Sequence, residues 1–450
     1  MIKNFKYLFF FFIFTLITSC SFDNKTGIWN STEQEKIRIS ELEKKQKARI
    51  SVEVIYKSDN IFSEVIKNNK KIVLTAPKKN LFWKMSGLNL QNFIGHTYLP
   101  KIDNNFLKKK IGKNKFSLLK IISSPLIFKD NIIFSDDKGT IFSVSQRGKV
   151  IWKINIYKKI YKKIYKNLTF SIYKDHIYVA DNIGFIYKIS FVNGDLIWIK
   201  NTAVPLKSNL KINKNKIFLI NQDNRILCLD TESGSKIWDI RSVSSFIKTQ
   251  SSLAMAISKD EDLIILNSSG DLIKIKANSG NVYWSLNTTG SLLAHDTDFF
   301  RSSELVIAEN DIIFATSQSF FSYNLDNGYL NWKVDVASKN TPIVDGDNVF
   351  LVSDNGYFLN LNKQSGEIIF STNILKALKK KKRETQIAGF ILGSEKVYAV
   401  SFNGYLIVSS AVSGNVEYVK KIGDTISTNP IVSNGSLYIL TENSKILGFN

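Results

Sequence analysis

Along most of the chain, short apolar runs alternate with polar residues in a period of two, as in Lys216-Ile217-Phe218-Leu219-Ile220 and Gly356-Tyr357-Phe358-Leu359-Asn360-Leu361. That period sends successive side chains to opposite faces and predicts strands. Two kinds of turn punctuate them. In one, Gly stands four residues before an aromatic: Gly148 and Trp152, Gly194 and Trp198, Gly234 and Trp238, Gly280 and Trp284, Gly328 and Trp332, Gly366 and Phe370, Gly414 and Tyr418. The other lies nine or ten residues before each of those glycines, at Gly139, Gly184, Asn224, Gly270, Ser319, Gly356 and Gly404. Gly and Asn supply at low cost the positive φ that a two-residue hairpin turn requires.

The seven aromatics are 38 to 48 residues apart, the period of a four-stranded propeller blade. A lone meander is marginal in water, whereas sheets stacked around an axis bury both faces of each. The chain ends supply an eighth unit. Ile431-Val432, Ser436–Leu440 and Ile446–Phe449 are strand-like but lack the Gly and aromatic, while Lys71–Thr75 leads through a turn at Pro77–Asn80 into Leu81-Phe82-Trp83. The expectation is an all-β, eight-bladed propeller of four-stranded antiparallel blades over residues 69–450. The strand near Trp83 is expected to pair with the C-terminal strands and so remove an aggregation-prone open edge. Trp83, Trp152, Trp198, Trp238, Trp284, Trp332, Phe370 and Tyr418 would then be packing residues wedged between blades.

Residues 1–19 form a separate segment: Lys3 and Lys6, an apolar stretch from Tyr7 to about Ile17, then small residues before Cys20. This reads as a secretory signal. Ile17-Thr18-Ser19-Cys20 resembles the bacterial lipobox, whose Cys sulfur takes a diacylglycerol before cleavage and whose mature terminus carries palmitate. Cys20 is thus the candidate lipidation site, and acyl chains there would hold the body at a bilayer. Residues 20–68 read as a polar tether. Ser21 follows the Cys, rather than the Asp that retains such proteins at the inner membrane, so the outer membrane is expected. Acylation leaves Cys228 alone, and no disulfide within the chain is expected.

Composition narrows the classes. With 44% apolar residues, 12% aromatics and 6 Pro, the chain can build a large core, which excludes wholesale disorder and a collagen-like fibre. Past the leader, no run approaches the roughly 20 apolar residues of a spanning helix. The formal charge is +22, which favours polyanions. Lys, Asn, Ile and Phe are enriched throughout, however, as AT-biased coding would also produce. Lys379-Lys380-Lys381-Lys382-Arg383 lies in a loop between blades, where the blander reading is a solvated loop and the sharper one contact with anionic lipid. Aromatic-interleaved lysines at Tyr157–Lys166 have the look of a nucleic-acid surface, but an exported chain rarely meets nucleic acid and none is expected as partner.

Leu229-Asp230-Thr231-Glu232-Ser233-Gly234-Ser235-Lys236-Ile237-Trp238 resembles the repeat of the quinoprotein (PQQ-like) β-propellers, and the resemblance covers all eight blades. Within that superfamily, a ring of this length behind a lipobox, with no appended domain, resembles the BamB family of periplasmic outer-membrane lipoproteins of the β-barrel assembly machinery. The resemblance implies a non-enzymatic scaffold, lipid-anchored at the outer membrane and facing the periplasm. Its partners would be a BamA-like barrel protein, the rest of that complex and unfolded outer-membrane clients. BamB-like proteins carry, at the connection Ser244–Gln250, an apolar pair and an Arg that bind the periplasmic part of BamA. Carried over, Phe246 and Ile247 are the apolar contacts and Lys248 the cation, a departure because Lys lacks the planar guanidinium fork. Asp296 and Asp298 correspond to an acidic loop bordering that surface. Both loops could equally be ordinary crossovers.

The alternative is a periplasmic quinoprotein-like dehydrogenase or a degenerate relative, which would need a carboxylate base, a divalent-ion cage and, in alcohol-oxidising members, adjacent cysteines. His96, His176 and His295 fall in different repeats without metal-ligand spacing. Asp136-Asp137 and Asp345-Gly346-Asp347 sit in predicted hairpin turns, where Asp serves the backbone. No catalytic residue, metal site or cofactor is therefore expected.

Overall fold

The computed structural model describes residues 62–68, 70–113, 123–242, 251–289, 300–426 and 428–450. Among them, thirty-two strands form eight four-stranded antiparallel sheets. Seven are local meanders, at 126–154, 168–201, 211–241, 254–287, 306–334, 343–373 and 387–421. We call these the first to seventh blades. The first strands of neighbouring blades approach one another around an axis, and the fourth lies at the outer edge. This is the eight-bladed, all-β propeller expected from the repeat.

The strands differ in how much of that repeat they carry. Second strands such as Asp311–Ala315 and Asn348–Val352 bury nearly every residue, because a neighbouring blade covers each face and a doubly covered strand becomes a continuous apolar run. Period-two alternation belongs to outer strands such as Leu330–Val334, where Trp332 turns inward and its neighbours face solvent.

The eighth blade joins the two ends of the chain. Ile431–Ser433, Ser436–Leu440 and Lys445–Phe449 supply three strands. The fourth comes from the N-terminal side, as expected, but it is Asn105–Lys110 and not the stretch at Trp83. It runs antiparallel to Lys445–Phe449, with Leu107 opposite Gly448 and Lys110 opposite Lys445. Trp83 pairs instead with Ile127, in the first strand of the first blade. It is 3% exposed and belongs to the axis, not to the series of outer-strand aromatics.

Those aromatics tie each blade to the next. Trp152 donates its indole N–H to the carbonyl of Phe191 (3.0 Å), and Trp198, Trp238, Trp284 and Trp332 donate to Thr231, Ala277, Asp326 and Lys363 in the following blades. The turn glycine of the next blade lies flat on each ring. A Cβ on Gly194 would stand 2.6 Å from the Trp152 ring, and one on Gly414 would stand 2.6 Å from Phe370. Tyr418 has no such cover and is 40% exposed, since the eighth blade takes its outer strand from elsewhere and has no third-to-fourth turn to lay on it. Gly194 also has φ of +79°. Gly194→Ala therefore meets both backbone strain and the Trp152 ring, and should lower stability by about 1–3 kcal/mol, read as a shift of the urea midpoint at unchanged slope.

Candidate functional site: an occupied axis and two rims

Blade connectivity divides the turns between two rims. Second-to-third turns, such as those holding Asp136, Asp181 and Asn355, share one rim with the connections between successive blades. First-to-second turns, such as Asp345–Asn348, share the other rim with the Gly-and-aromatic turns.

Residues 62–104 precede the first strand of the ring and bond to all eight blades. Ile66 pairs with Ser371 at the outer edge of the sixth blade, Asn68 donates to the Val412 carbonyl of the seventh, and Lys70 meets Glu367 at 2.5 Å. The segment then turns toward the axis. Thr75 donates its N–H and hydroxyl to the Asp345 carboxylate, and Asn348 donates to the Val73 carbonyl. His96 contacts the Thr75 carbonyl through Nδ1 and accepts the Glu395 N–H at Nε2. At the axis, Trp83 and Ile127 exchange backbone bonds, and Ile172, Ile257 and Ile307 donate to the carbonyls of Lys84, Leu90 and Gln91. Asn434 donates to Asn80, and Thr97 to Leu392. First strands have one edge facing the axis, and its orphan N–H and C=O groups need partners. This segment supplies them.

Its tightest turn is held by a buried cation. Lys211, in the first strand of the third blade, is fully enclosed and donates to the carbonyls of Ser86 (2.8 Å) and Asn89 (2.7 Å) and to Asn92 Oδ1 (2.6 Å). Asn92 has φ of 54°, a conformation Asn tolerates, and donates through Nδ2 to Met255 and Leu305. Burial holds the Lys211 ammonium below its usual pKa, and the nearby Glu304 carboxylate pulls the other way. The same burial raises Glu304, which Lys211 opposes and whose Oε1 accepts from Asn209 at 2.6 Å. The sequence reading missed this cluster. The available signal was a lysine between Leu210 and Ile212 in a strand buried on both faces.

The other acids behave as structure. Asp136 accepts from the N–H groups of Lys138, Thr140 and Lys113, capping its hairpin, although burial still raises its carboxyl. Asp345, expected to serve its own turn, holds the incoming segment instead. Cys228 is buried, which pushes its thiol up to about 12. Among the described residues no group of three or more His, Cys, Asp or Glu is placed to hold a metal ion. Cys20, Phe246, Ile247, Lys248, Asp296, Asp298 and His295 lie outside the described residues.

The family model described as outer membrane protein assembly factor BamB matches residues 137–372, more than half of the chain. The chain belongs to the BamB family. Among curated relatives, the BamB of Yersinia pestis is 19% identical over 70% of this chain and 79% of its own length. An uncharacterized Rickettsia prowazekii protein is 21% identical over 78% and 88%. Among solved structures, BamB from Moraxella catarrhalis aligns with a TM-score of 0.61 at 13% identity, covering 76% of this chain and all of that one. Quinohemoprotein alcohol dehydrogenase from Comamonas testosteroni aligns at 0.63 with 10% identity, over 82% and 80%. Likeness at that level of identity shows a shared propeller and nothing about chemistry.

Proposed function

We propose that this chain is a non-enzymatic scaffold lipoprotein of the outer-membrane β-barrel assembly machinery, anchored through Cys20 and binding the periplasmic part of a BamA-like partner. The family match over residues 137–372 carries this reading. The use of the axis agrees with it: the concave centre, where a propeller has room for a ligand, is bonded from blade to blade by the chain's own residues 83–97. Function then falls to the rims, where loops present side chains on a rigid ring.

Phe246, Ile247 and Lys248 are the proposed partner contacts, with Asp296 and Asp298 beside them. The third blade's outer strand ends at Arg241 and the fourth blade begins at Ala254, so this connection leaves from the rim shared by all inter-blade connections.

The test is co-purification through a C-terminal tag after mild detergent solubilisation. A barrel protein with periplasmic repeats should be recovered with the wild type. Ile247→Ala combined with Lys248→Glu should reduce that recovery at least tenfold while leaving the thermal midpoint unchanged. Equal recovery removes the surface from the reading, and a co-purifying electron-transfer protein with quinone absorbance would replace the scaffold by the dehydrogenase alternative.

A further inference from the structure

The connection between the first and second blades, Ile156-Tyr157-Lys158-Lys159-Ile160-Tyr161-Lys162-Lys163-Ile164-Tyr165-Lys166, contains no acid. Two of its polar side chains are turned inward. The Tyr157 hydroxyl donates to Asp181 Oδ2 at 2.5 Å, and Lys166 is 2% exposed, lies over the Tyr157 ring and donates to the Tyr161 carbonyl. The Tyr165 carbonyl accepts from Asn182, and Tyr161 meets Phe185 edge-on at 5.6 Å. Two large apolar side chains stand outside, Ile160 at 79% exposed and Ile164 at 45%, with Lys158, Lys159, Lys162 and Lys163 exposed around them. None of these four ammonium groups has a carboxylate partner among the described residues. A shallow groove of about 290 Å³ beneath the turn, lined by Ile156, Phe185 and Ile199 among others, continues the apolar surface.

Two further observations fall on the same rim. The connection between the sixth and seventh blades presents Lys380–Lys382 as an exposed turn, braced by Arg383 on the Lys376 and Leu378 carbonyls and by Asn403 on the Lys382 carbonyl. The described chain also begins there: the Phe62 carbonyl accepts from Asn355 and the Ser63 carbonyl from Tyr357.

We infer that this rim docks on an anionic lipid surface, with Ile160 and Ile164 entering the headgroup boundary and Lys158, Lys159, Lys162, Lys163 and Lys380–Lys382 meeting lipid phosphates. Isolated apolar side chains ringed by unpaired lysines fit an interface that is apolar below and negative above, where lysine stems lie along acyl chains while their ammonium groups stay at the phosphates. The rigid support of the turn means that no folding accompanies insertion. The docking uses residues other than any acyl anchor and other than the proposed partner contacts, whose connection leaves from the same rim.

The experiment reads the turn itself. An environment-sensitive fluorophore is placed by Ile160→Cys in the full chain, with its position verified by peptide mass, and the protein is reconstituted into vesicles of phosphatidylcholine with or without about one-third phosphatidylglycerol. A second probe, placed by Tyr329→Cys on the opposite rim, where the native residue is 73% exposed, reports mere proximity. Docking is expected to give a blue shift and quenching by brominated lipid at 160 but not at 329, in charged vesicles only. Each single Lys→Gln substitution in the turn should weaken it about fivefold, and salt should release it. Equal signals at 160 and 329, or equal insertion into neutral vesicles, would overturn the inference. So would a probe at 160 that changes only when a protein partner is added. Ile164→Asp, which alters an exposed position without touching the ring's core, should abolish the signal with an unchanged melting temperature.

Discussion

A chain cut after Gly435 is expected to lose all eight blades together. The cut removes Leu437, Tyr438, Ile439, Leu440, Ile446, Leu447 and Phe449, each 1% exposed or less. At roughly 1.5–3 kcal/mol per fully buried large apolar side chain, these represent about 10–20 kcal/mol, as much as the whole stability of an ordinary domain. The loss would not stay local. Asn105–Lys110 pairs with Lys445–Phe449 and would have no partner, and the first and seventh blades would each present an uncovered face. In an open array of repeats the ends can fray while the middle survives, but a ring with one member missing has no capped end at which to stop. Calorimetry should show the single main transition abolished, and the truncated chain should be recovered as aggregate. A soluble product with the native near-ultraviolet spectrum would show that the closing strand is dispensable.

Lys211→Met should cost about 3–5 kcal/mol, the range for removing one member of a buried charged network. The side chains are similar in length, so packing is nearly kept and the loss isolates the ammonium. Two carbonyls and the Asn92 amide oxygen would lose their donor, and the Glu304 carboxylate would remain enclosed without the cation that offsets its burial. Adding Glu304→Gln should recover part of the loss, because a neutral amide does not need that cation; the non-additivity in a double-mutant cycle measures the coupling. Residues 86–92 should also become the first site of proteolysis while the blades persist. A single-mutant loss below about 1 kcal/mol would place Lys211 among ordinary surface lysines.

The blade repeat was legible because it is local. A glycine with positive φ and an aromatic four residues later are both fixed by one hairpin and by the blade it touches. The closing strand was not legible for the opposite reason. Asn105-Phe106-Leu107-Lys108-Lys109-Lys110 buries only Leu107 fully, so most of what makes it a strand is the edge of Lys445–Phe449, far away in sequence. Trp83 looked like the missing repeat aromatic because an indole before a turn carries no mark of which surface it will meet. The axial lysine was hidden by the base expectation that lysine is exposed. Only the fold shows that the strand around Lys211 has no solvent side. The carried-over contacts Phe246, Ile247 and Lys248 rest on resemblance, since their spacing within Ser244–Gln250 does not distinguish a partner surface from a crossover.

The segment that fills the axis also sets a timetable for folding. Asn80 bonds the Val432 carbonyl across a sequence separation of 352 residues, and Thr75 reaches Asp345 across 270. An exported chain emerges N-terminus first, so 352 residues must follow Asn80 before its partner arrives. Before then Trp83 can already pair with Ile127, and the turn around Asn92 with Lys211, Met255 and Leu305, but the parts of the segment that bond the sixth, seventh and eighth blades cannot yet be seated. Contacts of such range are the slow ones. The last strands to be synthesised are thus the ones that let the first residues of the ring settle, and the ring becomes a single body in one late step.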